Sequence, residues 1–307
     1  MTGIVPPPGP IHLRLPATSA NLGPGFDSLG LAMAMYLTID AEVSQSGAFS
    51  IEATGRNADL CSVVENNLIL TTYMDVLANA GVIAPRLHLA LQNEIPLGMG
   101  CGSSAAALLA GVMLANHFGQ FSWTSDQILS EACRREGHPD NVAACFLGGM
   151  TVSCMYGSIV KTATYMENIK WNLLLALPSA SLSTSKARAL LPENYSKADA
   201  VANIQAVALL VSAFALHRGD LLAAAMQDRI HQPYRMEACP LLPRLLPLAG
   251  NNGVLGVALS GAGPSVLLVA VSEVAVPSIL SLIRSAAGDP SLEIIQTTVS
   301  GGVESRS

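Results

Sequence analysis

A glycine-punctuated segment that runs into an alanine-rich stretch constrains this 307-residue chain more than any other feature. Residues 96–111 read Pro-Leu-Gly-Met-Gly-Cys-Gly-Ser-Ser-Ala-Ala-Ala-Leu-Leu-Ala-Gly. The alternating glycines allow positive φ angles and close approach to a ligand, and Ser103 lies where an N-cap is expected. The pattern predicts a turn and then a helix whose free N–H groups suit an anion such as phosphate. A plain glycine connector is the other interpretation, and the absence of Gly-Lys-Ser/Thr excludes a Walker loop.

The overall composition excludes several classes of protein. Half of the residues are apolar, 12% are charged, and the net charge is −6 with scattered basic residues, so we expect no broad nucleic-acid surface. The most apolar segment, residues 254–271, contains Ser-Gly-Ala-Gly-Pro-Ser and is not expected to cross a membrane. The proline-rich N-terminus lacks the basic region of a signal or transit peptide. Six dispersed cysteines without zinc spacing favour a reducing, cytoplasmic location.

Strands and helices alternate irregularly along the chain, which predicts an α+β protein with two layers. We divide the chain into domains at residues 1–165 and 166–307, because both parts have an ordinary domain size. Alternating or short apolar runs predict strands at 11–15, 31–43, 87–91, 150–155, 159–162, 171–177, 254–259, 266–271 and 292–297. Helical patterns predict helices at 68–80, from 103, and at 125–135, 199–218, 221–229 and 274–287.

Three further polar segments interrupt the apolar background. Residues 16–27 read Pro-Ala-Thr-Ser-Ala-Asn-Leu-Gly-Pro-Gly-Phe-Asp, and residues 260–265 read Ser-Gly-Ala-Gly-Pro-Ser. Residues 136–141 read Glu-Gly-His-Pro-Asp-Asn and follow Glu131 on a predicted helix. Each has a purely structural interpretation, as a tight turn, a hairpin turn and a helix cap respectively. Because one cap does not require a histidine, a carboxylate and an amide together, a binding site at 136–141 is an equal alternative.

In order and spacing, these segments resemble the three signature motifs of the GHMP small-molecule kinases, carried here by residues 16–30, 96–107 and 259–265. Within that superfamily, the first segment and Glu-Gly-His-Pro-Asp-Asn resemble the homoserine kinase family. The resemblance extends over most of the chain, because residues 183–188 and 231–235 also fit it. It implies an N-terminal domain of ribosomal protein S5 domain 2-like fold and a C-terminal ferredoxin-like domain, with the active site between them.

The resemblance also implies an activity and a role for each matching residue. The expected reaction is transfer of the ATP γ-phosphoryl group to the side-chain hydroxyl of L-homoserine with Mg²⁺, a step of threonine biosynthesis; a homodimer is a further expectation. The residues implied to bind ATP are Pro96, Leu97, Gly98, Met99, Gly100, Cys101, Gly102, Ser103, Ser104, Asn66 and Asn67. Those implied to hold magnesium are Ser104 and Glu131, and those implied to line the amino-acid pocket are Asn21, Asp27, His138, Asp140, Arg188 and Arg235. Those implied to act in the transfer are Asn141 facing the attacking hydroxyl, Glu131, and Thr184 beside the phosphoryl group.

The chemistry of the ligands agrees with these roles. Homoserine is a zwitterion, so its ammonium group needs oxygen acceptors such as those of Asp27 and Asn21. Its carboxylate needs a cation, and Arg188 and Arg235 carry forked donors suited to bidentate binding. Magnesium prefers carboxylate, hydroxyl and phosphate oxygens. Since phosphoryl transfer depends mainly on positioning and charge neutralisation, we assign no residue as a general base.

One departure from the family and two alternatives remain at this stage. Cys101 stands where the family usually has leucine, and its position near a helix N-terminus predicts either a small apolar spacer or a thiol with a lowered pKa. The alternatives are a GHMP kinase for another small alcohol and a non-catalytic protein that binds an amino acid or a nucleotide. The amino-acid-type ligands argue against the first alternative, and the intact phosphate loop argues against the second.

Overall fold

The computed structural model describes residues 8–166, 169–271 and 276–307. The first part of the chain forms β1 (Ile11–Ala20), β2 (Leu29–Val43), β3 (Ser50–Gly55), α1 (Ala58–Cys61), α2 (Leu68–Asn79), β4 (Leu87–Asn93), α3 (Ser103–Phe118), α4 (Ser125–Glu136), α5 (Asp140–Leu147), β5 (Met150–Tyr156) and β6 (Ile159–Tyr165). The second part forms β7 (Asn172–Leu177), α6 (Thr184–Ala189), α7 (Lys197–Ala215), α8 (Leu222–Ala225), α9 (Gln232–Arg235), α10 (Leu241–Leu245), β8 (Val254–Leu259), β9 (Val266–Ala270), α11 (Val276–Ala287), β10 (Glu293–Thr297) and β11 (Glu304–Arg306).

A seven-stranded sheet organises the first part of the chain. Its order is β11-β1-β2-β4-β3, and β5 and β6 continue from β2. The pairs are antiparallel except for β3 with β4. Strand β2 shows the predicted alternation, because its odd-numbered side chains from Met33 to Ala41 are buried. Helix α3 packs between α2 and β1, and its apolar length is almost wholly buried. The sheet therefore fixes the N-terminus of α3 beside the ends of β1 and β2.

The second sheet has the order β10-β7-β9-β8, and every neighbouring pair is antiparallel. In chain order the elements are a strand, helices, two strands, a helix and a strand, which is the split βαββαβ arrangement of ferredoxin-like domains. Strand β7 is buried along its whole length, as its continuous apolar run predicts. The expected ferredoxin-like C-terminal domain is confirmed.

The turn between β8 and β9 brings the two sheets together at one place. Ser260 lies in that turn, and its hydroxyl lies 2.9 Å from the Ser19 hydroxyl and 2.8 Å from the Gly100 carbonyl oxygen. The N–H of Gly261 donates to the Ala20 carbonyl oxygen at 3.1 Å. Three of the polar segments singled out in the sequence therefore meet at this junction.

The chain returns to the first sheet at its end, since β11 pairs with β1. Strand β6 ends at Tyr165, and β7, the first strand of the second sheet, begins at Asn172. The two sheets thus do not divide the chain at a single point, and the boundary between residues 165 and 166 stays a prediction.

Most of the predicted strands and helices are confirmed, with the following differences. Strand β1 continues to Ala20 instead of stopping at Leu15, because the segment after Pro16 is buried and pairs with β2 across a register shift. The predicted helix at 221–229 is wrong, since only Leu222–Ala225 is α-helical. The short strands β3 and β11 are not among the predicted strands. The predicted helix at 274–287 begins on residues outside the described part, and its described portion is α11.

The segment at 254–271 is a pair of strands, not a helix. Within the described ranges, one helix, α7, is long and apolar enough by length and composition to cross a membrane, with 22% of the segment buried. In this fold α7 packs on α8, and the Asn203 side chain donates to the Pro24 carbonyl oxygen at 2.7 Å. Helix α7 thus contacts both the second part of the chain and the loop after β1.

Candidate active site

The glycine segment forms a turn directly before α3. Gly100 and Gly102 have φ angles of 73° and 72°, in the region that favours glycine. A Cβ at Gly100 would lie 2.2 Å from the Ser260 carbonyl oxygen, and one at Gly102 would lie 1.8 Å from the Thr18 hydroxyl oxygen. The N-cap is Gly102 rather than the predicted Ser103, and no side chain caps it. The first N–H groups of α3 are thus left without a side-chain cap, an arrangement suited to an anion.

A cavity of about 190 Å³ opens in front of this turn. It is bounded by the loop after β1, the glycine turn, the start of α5, the start of α6, Arg235 and the β8–β9 turn. The predicted residues that line it are Asn21, Asp27, Gly98, Gly100, Cys101, Gly102, Ser103, Ser104, His138, Asp140, Asn141, Thr184, Arg188 and Arg235. Segments as far apart in the chain as Ala20 and Gly263 thus converge on one space, as the resemblance implied.

The carboxylate of Asp140 organises one wall of the cavity. Its Oδ1 lies 2.7 Å from His138 Nδ1 and accepts from the N–H of Asn141 at 2.6 Å. Asp140 is 2% exposed, so these contacts compensate for the loss of hydration. Burial disfavours the charged form of His138, but the hydrogen bond to Asp140 and the charge of that carboxylate outweigh it, and the pKa of His138 is raised. The Asp140 carboxylate therefore supplies negative charge to this wall and also stabilises the protonated form of His138.

An ion pair between Asp27 and Arg188 lies beside this cluster, because polar side-chain atoms of Asp27, His138 and Asp140 all lie within 4.8 Å of one another. The two guanidinium nitrogens lie 2.6 Å and 3.0 Å from the two carboxylate oxygens. The hydrogen bonds to Asp27 raise the pKa of Arg188. Asn21 holds the loop in place, because its Oδ1 accepts from the Asp27 N–H and its Nδ2 donates to the Gly261 carbonyl oxygen. The groups predicted to bind opposite ends of an amino acid bind each other here.

The second predicted arginine, Arg235, is 1% exposed. Its Nε donates to the Ala187 carbonyl oxygen at 3.1 Å, and its Nη1 lies 3.1 Å from His231 Nδ1. Nε2 of His231 lies 2.8 Å from the Gly23 carbonyl oxygen, which can only accept, so this nitrogen carries the proton and Nδ1 accepts from the guanidinium. Burial and the nearby charge of Arg188 lower the pKa of Arg235. A buried cation that lines a cavity is suited to an anionic ligand group.

The predicted magnesium ligand Glu131 does not line this cavity among the described residues. Its carboxylate accepts from Arg134 and Arg135, with distances of 2.6 to 2.9 Å. Burial raises the pKa of Glu131, but the hydrogen bonds from these arginines outweigh it and the pKa is lowered. Glu136, five residues further on, does line the cavity, and burial raises its pKa. The sequence contained a signal for this difference, because Glu131 has arginines at i+3 and i+4 on its own helix.

A second cavity, of about 350 Å³, adjoins the other side of the glycine turn. Its lining includes Asn66, Asn67, Leu97 and Ser103, and most of the surrounding side chains are apolar. Ser103 lines both cavities, so the turn separates a polar space from a more apolar one. Asn67 also caps α2, since its Oδ1 accepts from the Ile69 N–H at 3.1 Å. The remaining predicted ATP-binding residues, Pro96 and Met99, line neither cavity.

Comparison with known proteins decides the family. Residues 67–149 match the family described as GHMP kinases N terminal domain, and residues 210–287 match GHMP kinases C terminal. A homoserine kinase of Solibacter usitatus is 47% identical over 258 residues, which is 84% of each chain. The chain belongs to the homoserine kinase family. A homoserine kinase of Synechocystis is 39% identical over 92% of both chains.

The similarity to solved homoserine kinase structures extends over the whole chain. The crystal structure of a homoserine kinase from Cytophaga hutchinsonii superimposes with a TM-score of 0.80 at 26% identity, covering 100% of this chain and 99% of that one. A mevalonate kinase from L. major superimposes with a TM-score of 0.72 at 15% identity, covering 94% of this chain and 95% of that one, a likeness of fold alone. The predicted α+β, two-domain GHMP kinase fold is confirmed, and membership of a kinase family implies the use of ATP.

The thiol of Cys101 behaves as an apolar spacer. The residue is 1% exposed, and burial raises the pKa of its thiol to about 12. The alternative, a thiol with a lowered pKa at the helix N-terminus, is therefore wrong, because desolvation dominates over the helix dipole. The exchange from the family's usual leucine retains an apolar contact in the turn.

Proposed function

We propose that this protein transfers the γ-phosphoryl group of ATP to the side-chain hydroxyl of L-homoserine, giving O-phospho-L-homoserine for threonine biosynthesis. The observation that carries the proposal is the single cavity that joins the glycine turn to Asp27, Asp140, Arg188 and Arg235. In the reaction the hydroxyl oxygen forms a bond to the γ-phosphorus, and the bond from that phosphorus to the bridging oxygen breaks. The bond's electron pair leaves with ADP, and the hydroxyl proton is released in the net reaction.

The two cavities suggest how ATP lies across the turn. The uncapped N–H groups at the start of α3 would hold the phosphates. The more apolar cavity, with Asn66, Asn67 and Leu97, would take the adenine ring, because a flat apolar base needs apolar walls and a few amide groups for orientation. Ser103, common to both cavities, would lie between base and phosphates.

The residues of the polar cavity fit a magnesium ion bound with the phosphates. The Ser104 hydroxyl and the Glu136 carboxylate line the same space, and oxygen donors of this kind are those that Mg²⁺ takes beside phosphate oxygens and water. We assign this role to Glu136 in place of Glu131, since the carboxylate of Glu131 is already neutralised by two arginines. The ion would supply charge neutralisation on the transferring phosphoryl group.

The amino acid would lie in the polar cavity with its two charged ends toward different groups. Arg235 and Arg188 would bind its carboxylate, while Asp27, with Asn21 and the Asp140–His138 pair, would face its ammonium group. Binding would thus separate the Asp27–Arg188 pair, and each group would exchange its partner for the opposite charge on the substrate. This exchange accounts for selection of a zwitterion over a neutral alcohol.

Asn141 and Thr184 would lie nearest to the transfer itself. Asn141 stands at the start of α5 next to Asp140, and Thr184 opens α6 after the capping residue Ser183. Both line the cavity together with Ser104. Neither is a base at neutral pH, so these side chains would position the reacting atoms and stabilise charge.

The test is an ADP-release assay with a panel of alcohols. We expect turnover with L-homoserine and none with 4-hydroxybutyrate, which lacks the ammonium group, or with mevalonate, which lacks it as well. Turnover with another alcohol but not with homoserine would assign the protein to a different GHMP activity. Calorimetric binding of homoserine without any ADP release would indicate a non-catalytic binding protein.

A cytoplasmic homodimer is part of the same proposal. The family resemblance supports it, and so does the exposed apolar face of α7, where Ile204 is 65% exposed and Val201 is 44% exposed. Light scattering on the purified protein tests it, with Ile204→Lys expected to give monomers. A mass of one chain for the unaltered protein would contradict the dimer.

A further inference from the structure

Thr18, a residue outside the roles assigned so far, is enclosed between the glycine turn and α5. It lies in β1 and is 0% exposed. Its N–H donates to the Cys101 carbonyl oxygen at 3.0 Å, which fixes the strand to the turn. Its hydroxyl lies directly beneath Gly102, where a Cβ would come within 1.8 Å of the hydroxyl oxygen. The position of this hydroxyl is therefore tightly defined.

The hydroxyl of Thr18 donates to Oδ1 of Asn141 at 2.7 Å. The other end of the same amide, Nδ2, donates to Asp140 Oδ1 at 3.3 Å. An asparagine amide has one accepting end and one donating end, so these two contacts together select one of its two orientations. The main-chain N–H of Asn141 also donates to Asp140, so a third hydrogen bond restrains this residue.

The donating end of the Asn141 amide, Nδ2, is the end that remains for a ligand in the cavity. Asn141 lines the cavity, whereas Thr18 lies behind it and is not among the lining residues that the structure describes. Nδ2 has two N–H groups, and Asp140 takes one, so the second is available to a ligand oxygen. The accepting oxygen, in contrast, is turned toward Thr18.

We propose that Thr18 is a positioning residue that holds Asn141 with its N–H donor, and not its carbonyl oxygen, toward the reacting oxygens. The inference rests on the proposed function, which places the phosphoryl transfer beside Asn141. A donor in this position stabilises negative charge on a phosphoryl oxygen as the transfer proceeds. An accepting oxygen there would instead repel that charge.

The test compares Thr18→Val, which keeps the shape and removes the hydroxyl, with Thr18→Ser, which keeps the hydroxyl. We expect Thr18→Val to lower kcat about tenfold, which corresponds to about 1.4 kcal/mol. The KM values for homoserine and ATP should stay within about threefold in both variants, because Thr18 is buried behind the residues that line the cavity. Thr18→Ser should recover most of the parent kcat. Thr18→Ala provides a second variant without the hydroxyl, in case the valine methyl group disturbs folding.

A double-mutant cycle with Asn141→Ala shows whether Thr18 acts through the amide. If it does, Thr18→Val should cause no further loss of kcat once the amide is absent. A full tenfold loss in both backgrounds, or a kcat of Thr18→Val and Thr18→Ala within twofold of the parent, would overturn the inference. The unaltered protein is assayed first. Its failure to phosphorylate homoserine would reject the proposed substrate, and the ratios for Thr18 would then be measured on the alcohol that it accepts.

Discussion

The guanidinium group of Arg188 makes a two-point contact with the carboxylate of Asp27, although 161 positions separate them in the chain. Asp27 belongs to the loop after β1, and Arg188 lies in α6 of the second part of the chain. The contact therefore joins segments from both halves at the mouth of the cavity. Each partner carries the charge that one end of an amino acid requires, so in the free protein this pair neutralises two groups that we propose bind the substrate.

We expect Arg188→Lys to raise the KM for homoserine about 10- to 100-fold, with kcat and the KM for ATP much less affected. A lysine retains the charge but cannot make two parallel hydrogen bonds to a carboxylate, and a charge-assisted bond contributes about 1.5–3 kcal/mol. Steady-state kinetics with each substrate varied in turn measures the split. Arg218→Lys, in an exposed ion pair with Asp220, serves as the control and should behave as the parent. A change confined to the KM for ATP would reject the pocket assignment.

The two glutamates on α4 give a matched pair of variants. Glu136→Gln should reduce kcat about 100-fold or more, because it removes a carboxylate that we place with magnesium and the phosphates. Glu131→Gln should leave kcat within about threefold of the parent, since that carboxylate pairs with Arg134 and Arg135 and does not line the polar cavity. The measurement is kcat at saturating ATP and magnesium. The opposite ranking would return the metal role to Glu131, as the sequence first suggested.

Glu136 should also make the free protein less stable at neutral pH. Burial raises its pKa in the folded state, so the folded protein binds the proton more tightly than the unfolded chain does. Its contribution thus favours folding below the ordinary pKa of glutamate and is lost as the pH rises through the raised value. We expect Glu136→Gln to raise Tm at pH 7, and the difference to shrink toward pH 4. Calorimetric melts of both proteins without ligands check this, and equal Tm values at pH 7 would contradict it.

The sequence predicts well those parts of the fold whose signals are local. The alternation in β2 and the apolar run of β7 follow directly from which side chains are buried. Strand β3 is not predicted because it is short and its alternation rests on two apolar side chains, Ile51 and Ala53, which are only partly buried. The predicted helix at 221–229 fails because Asp228 accepts from three main-chain N–H groups, at residues 230–232, which redirects the chain into α9.

For the candidate site, the motifs predict the residues but not their partners. The segment at 136–141 indicates a polar cluster, yet the burial that distinguishes Glu136 from Glu131 depends on tertiary packing. Likewise, nothing local to Asp27 identifies Arg188 as its partner. The N-cap moves from Ser103 to Gly102 because a left-handed residue is needed where the turn meets α3. The spacing of residues along the sequence therefore does not predict which side chains from distant segments contact each other in the site.

His231 offers a way to test whether the buried guanidinium of Arg235 must be aimed by a neighbour. His231 is 0% exposed, burial lowers its pKa, and the neutral ring donates at Nε2 to the Gly23 carbonyl oxygen while Nδ1 accepts from Arg235. Asparagine can place an amide oxygen near the position of Nδ1, whereas glutamine reaches the position of Nε2. The two variants therefore separate contact with Arg235 from contact with the loop.

We expect His231→Gln to raise the KM for homoserine about tenfold, since one hydrogen bond to a charged group contributes about 1.5–3 kcal/mol and glutamine replaces only the bond to Gly23. His231→Asn should stay closer to the parent, because Arg235 keeps an acceptor. The KM for ATP should change little in either variant, because we place Arg235 with the carboxylate of the amino acid and not with the phosphates or the adenine ring. If His231→Asn instead raises the KM for homoserine more than His231→Gln does, the hydrogen bond to Gly23 matters more than the hydrogen bond that orients Arg235. The carboxylate of the substrate would then depend chiefly on Arg188.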